Sequence, residues 1–104
     1  MPISQPNPRF SGYSSFGQGT PKTVSVQTSS TLLLGANPLR LYIQINNNGI
    51  KPIWLGQGQD ARVGFGQRLM PNAMKNFVAN ELYLGEITAI SESGVVNTDV
   101  IEGV

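Results

Sequence analysis

Along most of this chain, apolar side chains recur at every second position, in short runs closed by Gly, Asn, Asp, Ser or Pro. That rhythm belongs to extended strands with one buried face, because helices need apolar residues three and four apart. The clearest run is residues 40–46, where alternation sends Leu41, Ile43 and Ile45 inward and Arg40, Tyr42 and Gln44 outward. Asn46 to Gly49 then form a turn, and the Asn48-Gly49 pair suits the positive φ of a tight hairpin. Residues 52–55 therefore read as the partner strand, with Ile53 and Leu55 on one side and Trp54 on the other. Further strands are expected over residues 23–28, with Val24 and Val26 inward, and over Leu32, Leu33 and Leu34. Residues 74–78 and 81–84 are short candidates, although a helical turn or two competes within 73–82. Residues 86–91 and 95–101 read as a terminal hairpin around Glu92-Ser93-Gly94, and residues 56–66 as a loop. Seven or eight short strands at even spacing predict an all-β domain, an antiparallel sandwich or barrel.

Residues 1–22 break this rhythm. Pro2, Pro6, Pro8 and Pro21 interrupt backbone pairing, and no period runs through the Ser, Gly and Gln between them. They are expected to form an extended arm ahead of a domain at 23–104. Arg9, Phe10, Tyr13 and Phe16 are spaced along it like anchors for a partner, since aromatic and Arg side chains dominate binding hot spots. The alternative is an arm folded back on its own domain. A domain of about 80 residues buries modest apolar area. Small domains gain stability from disulfides, metals or association. This chain has no Cys, and without His a zinc or copper site is not expected. Association, as a homo-oligomer or on a larger surface, is what remains. The first 18 residues lack the apolar core of a signal peptide, and Leu32–Leu34 is as long an apolar run as the chain contains, so synthesis in the cytoplasm and no membrane partner are expected.

Charged residues make up only 12% of the chain, about half the usual share. Surfaces that lean on Asn, Gln, Ser, Thr and Gly suit proteins packed against others. The charges are also segregated. All seven basic residues precede residue 76 and five of the six acids follow residue 80, so the first 80 residues carry +6 and the last 24 carry −5. Either complementary ends meet between subunits, or the halves neutralise each other within one sandwich.

Ordinary catalysis lacks its side chains. A nucleophilic triad has no His to act as base. The late carboxylates sit in a solvated hairpin rather than in a facing pair, and no calcium-loop spacing occurs. Gly56 to Ala61 formally matches a dinucleotide-binding glycine pattern, but no credible helix start follows it. No catalytic, cofactor-binding or metal-binding residue is assigned, and an enzyme is not expected. Arg40, Tyr42 and Trp54 are expected to share a sheet face, as a subunit contact, a second core face or a stacking platform for glycan or single-stranded nucleic acid. A pI of 8.1 and scattered basic residues weigh against nucleic acid.

The segment Arg40-x-Tyr42-x-x-Ile45-Asn46, the turn at Gly49, the strand Pro52-Ile53-Trp54-Leu55-Gly56, the step Gly66-Gln67-Arg68-Leu69 with Pro71, and the alternation of residues 87–101 resemble a class of small bacteriophage virion proteins. The likeness spans residues 23–102 and leaves out the arm. It implies a jelly-roll-like sandwich that decorates or cements a capsid, or serves as the base of a spike or fibre. It implies no catalytic residues, and a homo-oligomer, often a trimer, on the major capsid protein or another virion protein at the capsid surface. The weakly strand-like residues 72–80 depart from the pattern and put the strand count in doubt.

Overall fold

The computed structural model describes residues 19–78 and 81–104. Eight strands run in order: β1 Gly19–Val26, β2 Thr31–Leu34, β3 Tyr42–Asn47, β4 Ile53–Gln57, β5 Gln67–Leu69, β6 Met74–Val78, β7 Ile87–Ser91 and β8 Val96–Gly103. They form two four-stranded sheets, ordered β1-β8-β3-β6 and β2-β7-β4-β5, with every pairing antiparallel. This strand order is that of an eight-stranded jelly roll, the all-β sandwich expected from the alternation.

Alternation decides which side chains meet between the sheets. Val26, Ile43, Ile45, Phe77, Val96 and Val100 come from the first sheet and are buried. Leu33, Ile53, Leu55, Leu69, Ile87 and Ala89 meet them from the second. Leu33 and Leu34 are consecutive yet both buried, because a register shift between Leu32 and Leu34 turns the strand and leaves Leu32 exposed.

Several expectations are corrected. The first strand begins at Gly19 rather than at residue 23, and Gly19 to Lys22 pair in register with Gly103 to Val100. Pro21 fits there because β1 is an edge strand, where alternate N–H groups face away from the neighbour and the missing donor costs nothing. A strand at Gln67–Leu69, for which no strand was expected, pairs with β4, whereas residues 81–84, expected as a short strand, form none. Residues 52–55 do not pair with residues 42–47: β3 and β4 lie in different sheets, and so do β7 and β8. Both expected hairpins are arches that carry the chain across the sandwich. Among consecutive strands only β4 and β5 pair directly.

The β3–β4 arch is built around Asn47, whose side chain is fully buried. Its Nδ2 donates to the carbonyls of Lys51 at 2.9 Å and Leu69 at 3.0 Å, and its Oδ1 accepts from the Gly49 amide at 2.9 Å. Its backbone pairs with Ala73 and Asn72, so one residue ties the arch to the β5–β6 connection. Gly49 is needed here for space rather than for a positive φ. A Cβ at that position would lie 2.6 Å from Val96 Cγ1. Val96 is buried and stiff at χ1, so it cannot step aside. Gly49→Ala is expected to cost about 1–3 kcal/mol as overpacking. Combined with Val96→Ala it should cost less than the two single changes added together, and urea denaturation of the four proteins in that cycle measures the difference.

Candidate functional site

Arg40, expected on an outer face, is instead buried. The strand begins only at Tyr42, so residue 40 escapes the outward parity. The guanidinium Nε donates to Glu102 Oε2 at 2.8 Å, and Nη1 donates to the carbonyls of Tyr83 at 2.8 Å and Gly85 at 2.9 Å. Nη2 donates to the carbonyl of Gly35. Asn37 Nδ2 adds a bond to the same Glu102 oxygen at 3.3 Å. One planar fork thus joins the β2–β3 connection, the β6–β7 connection and the end of β8. Arg40 is a structural clamp and presents nothing to a partner. Leu41, expected inward, is exposed.

Tyr42 and Trp54 do not share a face with each other. Tyr42 is on β3 of the first sheet and Trp54 on β4 of the second, each on the outer side of its sheet and half-buried. No common stacking platform exists. Tyr42 donates to Gln44 Oε1 at 2.6 Å. Trp54 belongs to a cluster that sequence reading missed, although Arg68 is its cross-strand partner. Trp54 Nε1 donates to Glu92 Oε2 at 2.7 Å, and Arg68 meets the same carboxylate through Nε at 2.8 Å and Nη2 at 3.1 Å. The bidentate Arg68 pair, and after it the indole N–H, hold the Glu92 carboxyl below the ordinary carboxylate range. The arm residues Arg9, Phe10, Tyr13 and Phe16 lie outside the described residues.

A cleft of about 750 Å³ lies under the β4–β5 connection. Its floor includes Leu55 and Phe77, and its walls carry Gln57, Gln59, Asp60, Arg62, Phe65 and Gln67. The connection is held down at three points. The Gly58 amide donates to the Glu86 carbonyl at 2.8 Å, Thr88 Oγ1 donates to the Gln59 carbonyl at 2.7 Å, and the Ala61 amide donates to Ser30 Oγ at 2.9 Å. Gly66 closes the loop with φ +89°, where any Cβ would overlap the Leu55 carbonyl oxygen. The sequence signal here is the repeated Gly-Gln pairs, Gly56-Gln57, Gly58-Gln59 and Gly66-Gln67, which turn chemistry alone explains. The formal dinucleotide pattern at 56–61 lies in the end of β4 and this connection, with no helix after it.

The two ends of the sandwich carry large exposed apolar side chains. Ile50 (86% exposed) and Val95 (60%) stand with Met70 on the arches of the Asn47 end. Leu39 (74%) stands with Leu41 and Leu84 at the Arg40 end. Comparison with protein-family models, with curated proteins and with solved structures finds no match.

Arg40→Ala should destabilise the domain by about 3 kcal/mol or more in urea denaturation, because Glu102 and three inward carbonyls lose their partner together. Arg40→Lys should recover only part of this, since an ammonium cannot reproduce the fork. The Glu92 cluster sets an acid limit. Its folded-state pKa is depressed, so its contribution is present above the ordinary value of 4.5 and is lost as pH falls through the lower folded value. Fluorescence of Trp54, the only Trp, should hold steady from pH 7 to 4.5 and change below it, and Glu92→Gln should remove that transition.

Proposed function

We propose that this chain is a structural protein of a bacteriophage particle, a decoration (cement) protein bound to the outside of the capsid shell. The observation that carries the reading is the pair of apolar ends on a charge-poor jelly roll. Ile50, Val95 and Leu39 stand exposed where a solitary soluble domain would place polar side chains, and such surfaces mark contact with other proteins. Jelly rolls recur in viral shells. A fold alone does not carry a function, so the argument rests on the surface and on the sequence likeness to virion proteins. The residues of that likeness supply framework. Arg40 is the clamp, Gly49 lies in the β3–β4 arch, and Pro52 to Gly56 lead into and form β4.

The partners in this reading are the major capsid protein, or another virion protein, and further copies of the chain, with a trimer favoured. The proposed location is the capsid surface. The arm is the proposed anchor, with Phe10, Tyr13 and Phe16 in shallow pockets of the shell. Ordering an extended arm costs roughly 1–2 kcal/mol per residue in backbone entropy, which several aromatic anchors and the avidity of an oligomer offset. The polar outer faces of the sheets carry no grouped catalytic side chains in this reading, and the protein works by binding.

The test is a truncation placed by the strand boundary. Deleting residues 1–18 keeps all of β1, whereas deleting 1–22 removes half of its pairing with β8. The 1–18 deletion is expected to melt like the full chain and to fail to co-sediment with undecorated capsid shells. Undiminished binding by that variant would remove the arm from the mechanism. Failure of the full chain to bind the shell would overturn the capsid reading. Copies per particle that match fibres or tails, rather than the capsid lattice, would move the protein there.

A further inference from the structure

We propose that the cleft under the β4–β5 connection is a binding site for a neutral oligosaccharide, a reading that does not depend on a place in a virion. A pyranose offers two surfaces: a patch of C–H bonds on the ring face and pairs of vicinal hydroxyls on its rim. The cleft offers a complement to each. Phe65 is 58% exposed and stands on the wall with the Arg62 guanidinium 4.2 Å from its ring centroid. The cation fixes the ring against one face and leaves the other to stack on a sugar. Gln57, Gln59 and Gln67 line the same cleft, and among the described residues their side chains make no hydrogen bond. A primary amide sets a donor beside an acceptor, which matches two adjacent hydroxyls that each both give and accept.

Charge and rigidity narrow the ligand class. Asp60 and Arg62 are the charged groups of the walls, one of each sign, so the cleft has no net charge to attract an anion. The carboxylate of Asp60 would oppose a phosphate or an acidic sugar and can accept from a neutral hydroxyl. The volume of about 750 Å³ falls within the range of small-molecule sites, roughly 300–1,000 Å³. The hydrogen bonds from Gly58, Thr88 and Ala61 hold the connection in place before any ligand arrives. A preformed site avoids part of the ordering cost that weakens loop-borne binding.

The experiment is an NMR titration of the full chain, labelled with ¹⁵N, with maltose, cellobiose, lactose and diacetylchitobiose, each to about 20 mM, a range that captures millimolar affinities. At least one disaccharide is expected to move the side-chain amides of Gln57, Gln59 and Gln67 and the backbone of residues 62–66. Phe65→Ala, a change at an exposed side chain, should melt like the parent and bind at least tenfold more weakly, and Gln67→Leu should weaken binding in the same direction. The proposal is overturned if none of the four sugars moves these amides, or if the shifts gather around Trp54 instead. It is overturned equally if folded Phe65→Ala binds like the parent, or if inorganic phosphate moves the same amides at lower concentration than any sugar.

Discussion

The fold hangs on one buried guanidinium. Arg40 reaches a carboxylate on β8 and three carbonyls on two separate connections. A buried ion pair adds little net stability compared with a well-packed apolar substitute, because both charges give up water. Its effect here is on specificity. The carbonyls of Gly35, Tyr83 and Gly85 turn inward at the end of the sandwich, where their own strands have stopped and no ladder satisfies them. Only a side chain with several rigid donors closes that end, and Arg provides the fork. Asn47 does the equivalent at the opposite end with two donors and one acceptor. The apolar core lies between these two polar nodes, and each node fixes the connections that cross from sheet to sheet.

Those crossings explain what was legible in the sequence. Alternation reported the buried face of β3 correctly: Ile43 and Ile45 are both inside. It reported residues 74–78 as a strand, and they are β6. What alternation cannot encode is which sheet a strand joins. Asn46 to Gly49 reads the same whether the chain folds back beside itself or arches over the core, because both need a tight polar turn. The arch is decided by Asn47 facing in and by Gly49 lying against Val96, a residue 47 positions away. Arg40 was misread for a related reason: parity holds only while the backbone stays extended, and the strand begins two residues later. The three-residue β5 carries too few side chains for a period, and pairing with β4 supplies what its own sequence lacks. At the candidate site, Trp54 was expected to share a face with Arg40 and Tyr42. Its partners are instead Arg68 on β5 and Glu92 just after β7, which only the topology brings together.

The topology also settles part of the meaning of the segregated charges. β8, which carries Asp99 and Glu102, and β7, which has Glu86 and Glu92 just beyond its ends, are interior strands, each flanked by strands from the basic part of the chain. Glu102 therefore meets Arg40, and Glu92 meets Arg68, inside a single subunit. Asp99 is satisfied without a cation, by the Thr23 hydroxyl at 2.7 Å and by the Asn48 amide. The late acids are thus largely used within the subunit, and complementary ends are no longer needed to explain the asymmetry.

Pairing the charges internally has a consequence for the surface. Two of the chain's few arginines face carboxylates of their own subunit, so the outside depends on amides, hydroxyls and apolar side chains even more than composition alone implies. Electrostatic steering is then weak, and a partner must be held by shape, apolar contact and hydrogen bonds at short range. That description fits the apolar ends, where Ile50 and Leu39 stand clear of the domain, and it fits the amide-lined cleft beside Phe65. The two surfaces differ in kind. The ends are convex, apolar and carried on arches, which suits a protein neighbour that stays in place. The cleft is concave, polar and pinned from beneath, which suits a small neutral ligand. Both follow from the same constraint: a small sandwich that uses its charges to close its own ends meets other molecules mainly through neutral groups.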